Sequence, residues 1–392
     1  MGVLENIDRV IDPFPAYARM REQSPIFYDP QTHHWNVFRY EDVQRVLSTH
    51  ELFSSQFAGD PNDPSQPFAA AMITTDPPKH RELRSLVSQA FTPRAVDALA
   101  PRIEQIVREQ LDRARGKPVF DVITDLAVPL PVIVIAEMMG VPSADREKFK
   151  TWSDQVVALA NVAGEFNSAA FAANSTAIME MAGYFFQMIE QRKANPGDDL
   201  ISGLVRAEID GRKLETIELL GFCLLLLVAG NETTTNLIGN AMLTFAERPE
   251  DWQRLRENPD LAAGALEEVL RYRSPVQSMF RVAKAGAAVG GVELPVGARL
   301  VAWIGSANHD DTQFPAADTF ALERSPNRHL AFGQGIHFCL GAPLARLEAK
   351  IALTQMLERM RTVRLTPGTE LRRMPSTLVY GLEHVPLEYE EA

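Results

Sequence analysis

A single cysteine with unusual neighbours is the sharpest chemical feature of this 392-residue chain. Cys339 lies in the stretch FGQGIHFCLG at residues 332–341, where Gly333 and Gly335 let the backbone turn tightly, and a long helical pattern follows at once. The unpaired N–H groups at the start of that helix should favour the thiolate form of Cys339. A structural zinc site needs four protein ligands, which this stretch does not offer. The pattern therefore favours a metal whose other ligands belong to a macrocycle, as in haem.

These residues alone are also compatible with three different roles for Cys339. The thiol can be a buried free cysteine beside a glycine-rich turn. The loop can bind phosphate, although it lacks the Lys-Ser/Thr ending and a preceding apolar strand. Cys339 can also act as a nucleophile with His337, although residues two apart on a loop rarely face each other. None of the three accounts for the rest of the chain.

A second chemical feature lies in the middle of a long apolar helix. No proline interrupts the helical pattern from 215 to 247, and its first half is apolar enough to be buried on every side. Its centre reads AGNETTT at 229–235, and an acid and hydroxyls inside a buried helix need partners or a function. Either the helix surfaces there, or Gly230 lets the backbone approach a flat ligand.

The elements that must position these residues are mainly helical. Strand signals are short and do not alternate regularly with helices, so we expect a mainly α fold with small β-sheets, of the α+β class. Residues 57–68 are turn-rich and predict a mobile loop rather than a boundary, so residues 1–392 are expected to form one domain. Besides the central helix, the predicted helices are 101–115, 127–139, 174–192 and 340–360, and the predicted strands are 35–39, 298–304 and 377–380.

Composition excludes several classes of function. Thirty-nine Lys and Arg against 51 Asp and Glu give a net charge of −12, which disfavours nucleic-acid binding. Two cysteines, Cys223 and Cys339, exclude a disulfide framework and fit a reducing cytoplasm. The N-terminus lacks the pattern of a signal peptide, and the longest apolar run, 219–230, is too short to span a bilayer. We therefore expect a cytoplasmic protein without a membrane span.

The loop at 332–341 resembles the haem-binding signature of the cytochrome P-450 family, F-G-x-G-x-H-x-C-x-G, at every defined position. The resemblance implies that Cys339 is the thiolate ligand of haem iron and that His337 hydrogen-bonds a haem propionate. It also implies that Phe332, Gly333 and Gly341 belong to the cofactor site.

The centre of the long helix resembles the oxygen-activation motif of the same family, (A/G)-G-x-(D/E)-T, at residues 229–233. The resemblance implies that Ala229 and Gly230 lie against the haem. It further implies that Glu232 and Thr233 are catalytic, with Thr233 supporting oxygen activation and Glu232 relaying protons by general-acid chemistry.

Two further motifs support the resemblance. Glu268 and Arg271 match the family's E-x-x-R element, which implies a buried structural network whose third member we expect to be Arg328. Residues 307–311 read ANHDD where relatives usually have ANRDP, so His309 is expected to weaken a structural contact.

Four cations are predicted to bind the haem carboxylates. His80 and Arg84 lie four residues apart on one helix face and resemble the family's D-P-P-x-H-x-x-x-R helix. Arg281 occupies a position where relatives carry a propionate-binding arginine, and His337 is the fourth. Bidentate contacts with carboxylates favour arginine over lysine for this task.

The resemblance implies a soluble bacterial cytochrome P-450 fold with haem b between the long helix and the cysteine loop. The implied reaction is monooxygenation of a hydrophobic small molecule, such as a fatty acid, terpenoid or steroid, using O2. Electrons would come from a ferredoxin or flavodoxin with its NAD(P)H-dependent reductase, and the chain would act as a monomer. By family pattern the substrate pocket draws on residues 57–73 and 157–186 and on Leu225, Leu226, Val276, Met279, Leu378 and Val379.

Two rival functions share this sequence pattern. A peroxide-driven peroxygenase on the same fold would gain little from the acid and hydroxyl of Glu232 and Thr233. A non-catalytic haem sensor or electron carrier would need an output domain or a second axial ligand, and the sequence shows neither. A thiol hydrolase without haem is a more distant alternative.

Overall fold

Helices form most of the structure, a computed structural model that describes residues 7–57, 71–117, 119–145, 148–149, 151–152 and 175–392. The mainly α architecture with small sheets agrees with the predicted fold class. Within the described ranges the helices are α1 (Phe14–Gln23), α2 (Tyr40–Ser48), α3 (Lys79–Ala90), α4 (Pro93–Asp97), α5 (Ala100–Ala114), α6 (Pro129–Met138), α7 (Ser175–Ala194), α8 (Leu200–Arg206), α9 (Thr216–Ala246), α10 (Pro249–Glu257), α11 (Ala262–Tyr272), α12 (Ile304–Ala307) and α13 (Ala342–Arg359).

Among the described residues the strands are short and form four small sheets. A five-stranded sheet has the order β1-β2-β10-β7-β3, in which β2 and β10 are parallel and the other pairs antiparallel. A three-stranded sheet has the order β11-β12-β4, and two hairpins complete the set. The strands are β1 (Ile26–Asp29), β2 (His34–Val37), β3 (Phe53–Ser54), β4 (Phe120–Asp121), β5 (Glu208–Ile209), β6 (Arg212–Lys213), β7 (Met279–Ala283), β8 (Ala288–Val289), β9 (Val292–Glu293), β10 (Arg299–Ala302), β11 (Met360–Leu365) and β12 (Pro386–Glu391).

The central helix α9 organises the core. It begins at a capping box, in which the side chains of Glu215 and Glu218 satisfy backbone N–H groups at the helix start, and it ends shortly before Pro249. It packs against α6, α7, α11 and α13, which explains why most of its residues are buried. By length and composition α9 could cross a membrane, but a buried core helix passes the same test. Its packing identifies it as a core helix.

Most predicted elements are confirmed to within two residues. The patterns at 101–115, 127–139, 215–247 and 340–360 correspond to α5, α6, α9 and α13, and the helix predicted at 174–192 corresponds to α7 from residue 175 onward.

The strand predictions fared less evenly. Those at 35–39 and 298–304 correspond to β2 and β10, while the segment 377–380 forms only an isolated bridge between Val379 and Val276. Apart from residue 57, the predicted loop at 57–68 lies outside the described residues.

Candidate haem-binding site

The cysteine loop is folded tightly against α2. Gly333 and Gly335 adopt φ values of 72° and 71°, which side chains rarely tolerate. A Cβ at Gly335 would lie only 2.8 Å from the Cα of Ser48, so this close approach requires glycine. The backbone N–H of Cys339 donates to the carbonyl of Phe332 over 2.9 Å and closes the loop just before α13 begins.

The thiol of Cys339 is partly exposed, and neighbouring groups affect its ionisation. Burial of the sulfur raises its pKa, while N–H groups of Gly341 and Ala342 and the charges of Arg84 and Arg346 act in the opposite direction. Burial prevails, so the thiolate preference expected from the helix start is not met by the polypeptide alone. A metal ion at the sulfur would supply it, because a coordinating thiol is deprotonated.

The middle of α9 presents an accessible face although the helix crosses the core. Ala229 is exposed, Leu225 and Leu226 are partly exposed, and Glu232 next to them in sequence is buried. The hydroxyl of Thr233 donates to the carbonyl of Ala229 over 2.7 Å, as Ser and Thr often do one turn back in a helix. This stretch is therefore an accessible, mostly apolar surface with one oriented hydroxyl.

Gly230 has a packing role on the same stretch. A Cβ at this position would lie 2.5 Å from Cδ1 of Ile135 on α6. The glycine therefore lets α9 and α6 pack closely, and this contact stands beside the predicted approach of a flat ligand as a reason for glycine.

Four basic side chains, all at least partly buried, lie together beside the cysteine loop. His80 and Arg281 are 2% and 4% exposed, and the rings of His80 and His337 lie 4.2 Å apart. Nε2 of both histidines is buried and has no hydrogen-bond partner among the residues that the structure describes. Arg84 is half-buried one helical turn after His80 on α3. The structure thus groups the four cations that the sequence singled out.

The electrostatics of this cluster suit an anionic ligand. Burial and then the charge of Arg84 lower the pKa of His80 to about 4, and burial and then Arg281 lower the pKa of His337 to about 3. Burial also lowers the pKa of Arg281 to about 10. The nearby carboxylate of Asp76 already accepts hydrogen bonds from Ser54 and Ser55. Carboxylates of a ligand would accept hydrogen bonds from the two neutral imidazoles and would balance the buried charge of Arg281.

The E-x-x-R pair forms a buried network, as predicted, but its third member differs. Arg271 donates from Nε and Nη2 to the two carboxylate oxygens of Glu268, each over 2.8 Å, and both side chains are fully buried. Arg324 donates to the same oxygens over 3.0 and 3.2 Å, and Asn327 adds a bond of 3.1 Å. Arg328 is exposed, so its predicted place in the network was wrong. The irregular segment that contains both arginines turns Arg324 inward.

His309 makes firm contacts in the place where relatives usually have arginine. Its ring is 1% exposed and stacks on Phe14 with centroids 4.0 Å apart. Nδ1 lies 3.0 Å from a carboxylate oxygen of Asp318, and Nε2 lies 2.8 Å from the carbonyl of Tyr272. Both ring nitrogens are engaged, so the expected weak contact is not what the structure shows.

Comparison with known proteins accounts for this arrangement. The family model described as Cytochrome P450 matches residues 16–389. Cytochrome P450 109 of Bacillus spizizenii is 45% identical over 96% of this chain and 91% of its own length. Erythromycin C-12 hydroxylase of Saccharopolyspora erythraea is 38% identical over 94% and 92%. The crystal structure of CYP109E1 from Bacillus megaterium in complex with testosterone matches with a TM-score of 0.88 and 40% identity, over 96% of this chain and 99% of that one.

The chain belongs to the cytochrome P450 family. It is accordingly a haem-dependent monooxygenase, since its relatives are P450 monooxygenases that include hydroxylases, and haem b is the cofactor of the family. The residues present fit that group. A partly exposed thiol with N–H donors, two imidazoles whose buried Nε2 atoms have no partner in the described part of the chain and a buried guanidinium are the groups that an iron porphyrin with two carboxylates needs.

The predicted pocket residues of this P450 are only partly brought together. Val276 pairs with Val379, and the carbonyl of Leu378 accepts the backbone N–H of Gln277 over 2.8 Å, so these two segments adjoin. Leu225, Leu226, Val276, Met279 and Leu378 are all partly exposed, while Leu226, Val276 and Met279 also pack against the hydrophobic core. Residues 58–70 and 157–174 lie outside the described residues.

Sequence reasoning missed three polar residues near the site. Arg324 replaces Arg328 beside Glu268, and Glu267 bonds to side chains on both sides of the cysteine loop. Glu348 is 1% exposed on α13, and burial raises its pKa to about 8. An acid on the apolar face of the helical pattern after Cys339 was the available signal for Glu348.

Proposed function

We propose that this P450 uses Cys339 as the thiolate ligand of haem iron and inserts one oxygen atom from O2 into a hydrophobic small molecule. The observation that carries the proposal is the environment of Cys339. Its sulfur accepts hydrogen bonds from the backbone N–H groups of Gly341 and Ala342 at the start of α13, and the charge of Arg84 favours its ionised form. Backbone N–H groups at such a sulfur stabilise its negative charge and tune a bound metal.

The haem carboxylates are held, in this proposal, by His80, Arg84, Arg281 and His337. The Nε2 atoms of His80 and His337, which have no partner among the described residues, donate hydrogen bonds to the carboxylates. The buried guanidinium of Arg281 pairs with a carboxylate, which balances its charge. Phe332, Gly333 and Gly341 shape the loop, and Ala229 and Gly230 line the opposite face. When bound, the haem supplies oxygen binding and activation, which electron donation from its thiolate promotes.

Thr233 and Glu232 deliver protons on the α9 side. The hydroxyl of Thr233 is directed by its hydrogen bond to the carbonyl of Ala229, which leaves its lone pairs free to accept from a water molecule. Glu232 is the next residue and is buried, so its carboxyl can exchange protons with that water while remaining shielded from bulk solvent. Loss of either group should waste electrons on reduced oxygen instead of product.

The substrate is proposed to be lipophilic, as in fatty acids, terpenoids or steroids. Leu225, Leu226, Val276, Met279 and Leu378 offer apolar surface, and Ala229 leaves room next to the hydroxyl of Thr233. A relative of 40% identity has been crystallised in complex with testosterone, which supports a steroid as the first compound to test.

Electrons are proposed to come from a ferredoxin or flavodoxin with its NAD(P)H-dependent reductase, since bacterial P450s typically use such partners. We further propose that residues 1–392 work as one domain, as a monomer in the cytoplasm. The match of the family model over residues 16–389 supports a single unit.

Turnover under ¹⁸O₂ with ferredoxin, reductase, NADPH and testosterone tests the proposal. We expect a product that contains one ¹⁸O atom, and we expect Thr233→Ala and Glu232→Gln to consume NADPH with less product per electron pair. Thr234→Ala, a change at the neighbouring buried threonine, is the control and should keep the coupling. Equal turnover with hydrogen peroxide alone would favour a peroxygenase, and haem reduction without any product from a panel of lipids would favour an electron carrier or sensor.

A further inference from the structure

Glu267 links three parts of the chain that surround the cysteine loop. It lies on α11 beside Glu268 but points to different partners. Arg346 on α13 donates from Nε and Nη2 to its two oxygens over 2.7 and 2.9 Å. His329, which precedes the loop, bonds through Nε2 to Oε2 over 3.0 Å. One carboxylate therefore ties α11 to the segments before and after Cys339.

The hydrogen bonds of His329 have a fixed direction. The backbone N–H of Ala331 donates to Nδ1 over 3.3 Å, so the ring proton lies on Nε2 and is donated to Glu267. Burial alone would raise the pKa of Glu267, but hydrogen bonds from Arg346 and His329 lower it to about 2. The carboxylate is therefore ionised at neutral pH and lies between the guanidinium of Arg346 and the imidazole of His329.

Arg346 is in turn held against the cysteine loop. Its guanidinium lies 4.4 Å from the centre of the Phe332 ring, a distance typical of a cation–π contact. The carbonyl of Phe332 accepts a hydrogen bond from the backbone N–H of Cys339 over 2.9 Å. Phe332 therefore contacts Arg346 through its ring and Cys339 through its backbone. The charges of Arg346 and Cys339 also act on one another, since each favours the ionised form of the other.

We propose that Glu267 is a positioning residue that braces the cysteine loop through His329 and Arg346 and, by balancing the charge of Arg346, sets the reduction potential of the haem. The inference rests on the proposed role of Cys339 as iron ligand. It differs from the role of Glu268, whose partners are the fully buried Arg271 and the Arg324–Asn327 segment.

The charges of Glu267 and Arg346 determine the sign of each expected shift in reduction potential. One-electron reduction adds a negative charge at the iron, so an unbalanced cation nearby favours the reduced form and an unbalanced anion disfavours it. Glu267→Gln keeps a hydrogen-bond acceptor for Arg346 but leaves its charge unbalanced, so the potential should rise. Arg346→Gln leaves Glu267 unbalanced, so the potential should fall. The double variant removes both charges and should return close to the wild-type value.

Each single variant should change the equilibrium constant of one-electron reduction by roughly three- to tenfold, where tenfold corresponds to about 59 mV. Spectroelectrochemical titration of the haem-loaded variants measures this shift. Glu267→Asp keeps the carboxylate charge and should keep the wild-type potential. This conservative variant keeps the proposal testable if Glu267→Gln fails to fold. Glu388→Gln is the control for loss of a carboxylate and should leave the potential unchanged, because Glu388 on β12 forms a surface pair with Arg364 on β11.

Opposite shifts in the two single variants, cancelled in the double variant, would support the proposal. Shifts of the same sign, or potentials equal to the wild type in both, would overturn it, because a purely structural brace has no signed effect on the potential. The ferrous–CO spectrum of each protein distinguishes failure of the proposed ligand Cys339 from failure of the proposed role of Glu267. Wild-type protein without the strongly red-shifted thiolate band would overturn the proposed ligand and this inference with it, whereas a normal band with unchanged potentials would overturn this inference alone.

Discussion

Two buried polar regions of this P450 differ in how their charges are balanced. Around Glu268, the carboxylate accepts bonds from Arg271, Arg324 and Asn327 and from the backbone N–H of Ala321. Arg271 also donates to the carbonyls of neighbouring loops, so the charges of this network are balanced within the polypeptide, and Oδ1 of Asn327 is the one buried side-chain atom of these four residues that lacks a partner among the described residues. This network holds α11 to the segment before the cysteine loop, and its charges are balanced without a ligand.

The cluster around His80 and His337 is balanced poorly by comparison. Both histidines have a buried Nε2 without a partner among the described residues, and Arg281 is buried with a pKa lowered to about 10 by that burial. Two regions with similar burial thus have opposite needs. The difference teaches that buried charge alone does not identify a ligand site; here the site is indicated by two adjacent imidazoles whose buried Nε2 atoms have no partner among the described residues.

The largest expected effect concerns the balanced region. Arg324→Leu should lower the free energy of unfolding by about 3 kcal/mol or more, because Glu268 loses a buried cationic partner. Arg328→Leu, an exposed arginine four residues later, should change it by no more than about 0.5 kcal/mol. Urea denaturation of the two haem-loaded variants measures both, and equal losses would contradict the assignment of Arg324.

Glu348 sharpens the comparison because it is a buried acid without a cation to balance it in the described part of the chain. Burial raises its pKa from 4.5 to about 8, so the unfolded chain loses this proton above pH 4.5 while the folded chain keeps it until about pH 8. Stability from this group therefore falls as the pH rises through that window. Glu348→Gln should be more stable than wild type by up to about 3 kcal/mol at pH 7 and equal to it below pH 4.

The control for Glu348 is Glu358→Gln, a change at an exposed acid on the same helix. Its pH profile of stability should follow that of the wild type. An equal gain in both variants would mean that helix propensity or net charge, rather than burial of Glu348, is responsible.

In the unbalanced region, removal of a cation should weaken haem binding without weakening the fold. Arg281→Gln should reduce haem affinity by roughly tenfold to a hundredfold, because a charged hydrogen bond to a carboxylate is worth about 1.5–3 kcal/mol. The stability of the haem-free variant should equal or exceed that of the wild type. Haem transfer to apomyoglobin measures the affinity, with Arg299→Gln on the adjacent strand as an exposed control. If Arg281→Gln lowers the stability of the haem-free protein but leaves haem affinity unchanged, Arg281 has a structural role like that of Arg271 and Arg324.

The smallest expected effect is a pH dependence of the haem-free protein. The pKa of His80 is lowered from 6.5 to about 4, so below pH 6.5 the unfolded chain binds a proton that the folded chain refuses. Wild type should therefore lose about 1 kcal/mol more than His80→Gln between pH 6.5 and 5.5. Thermal denaturation at several pH values measures the difference, and the exposed His33→Gln should show the wild-type slope.

The helices of the fold could be predicted because their signals are local. The central helix was expected at 215–247 and occupies Thr216–Ala246, since a capping box begins it and Pro249 follows its end. Strands depend on distant partners, which local sequence does not show. The segment 377–380 was therefore predicted to be a strand, although it makes only one bridge to Val276. Local propensity contains no information about how many residues a partner will pair.

The members of the site could be found from residue type and spacing, but several of their contacts could not. Arg324 and Arg328 lie in the same irregular segment, which has no periodicity to show which one turns inward. The contact of Gly230 with Ile135 and the brace from Glu267 to Arg346 join residues that are about 80 or more positions apart in the chain. Only the packed structure shows such pairs.

The central claim is that Cys339 is the thiolate ligand of the haem. Its most direct test is the absorption spectrum of the dithionite-reduced protein with and without carbon monoxide, measured for the wild type, for Cys339→Ser and for Cys223→Ser, which changes the buried cysteine of α9. We expect the strongly red-shifted Soret band of a thiolate-ligated ferrous–CO complex in the wild type and in Cys223→Ser, and its loss in Cys339→Ser. The same band in Cys339→Ser, or a wild-type protein that takes up no haem, would contradict it.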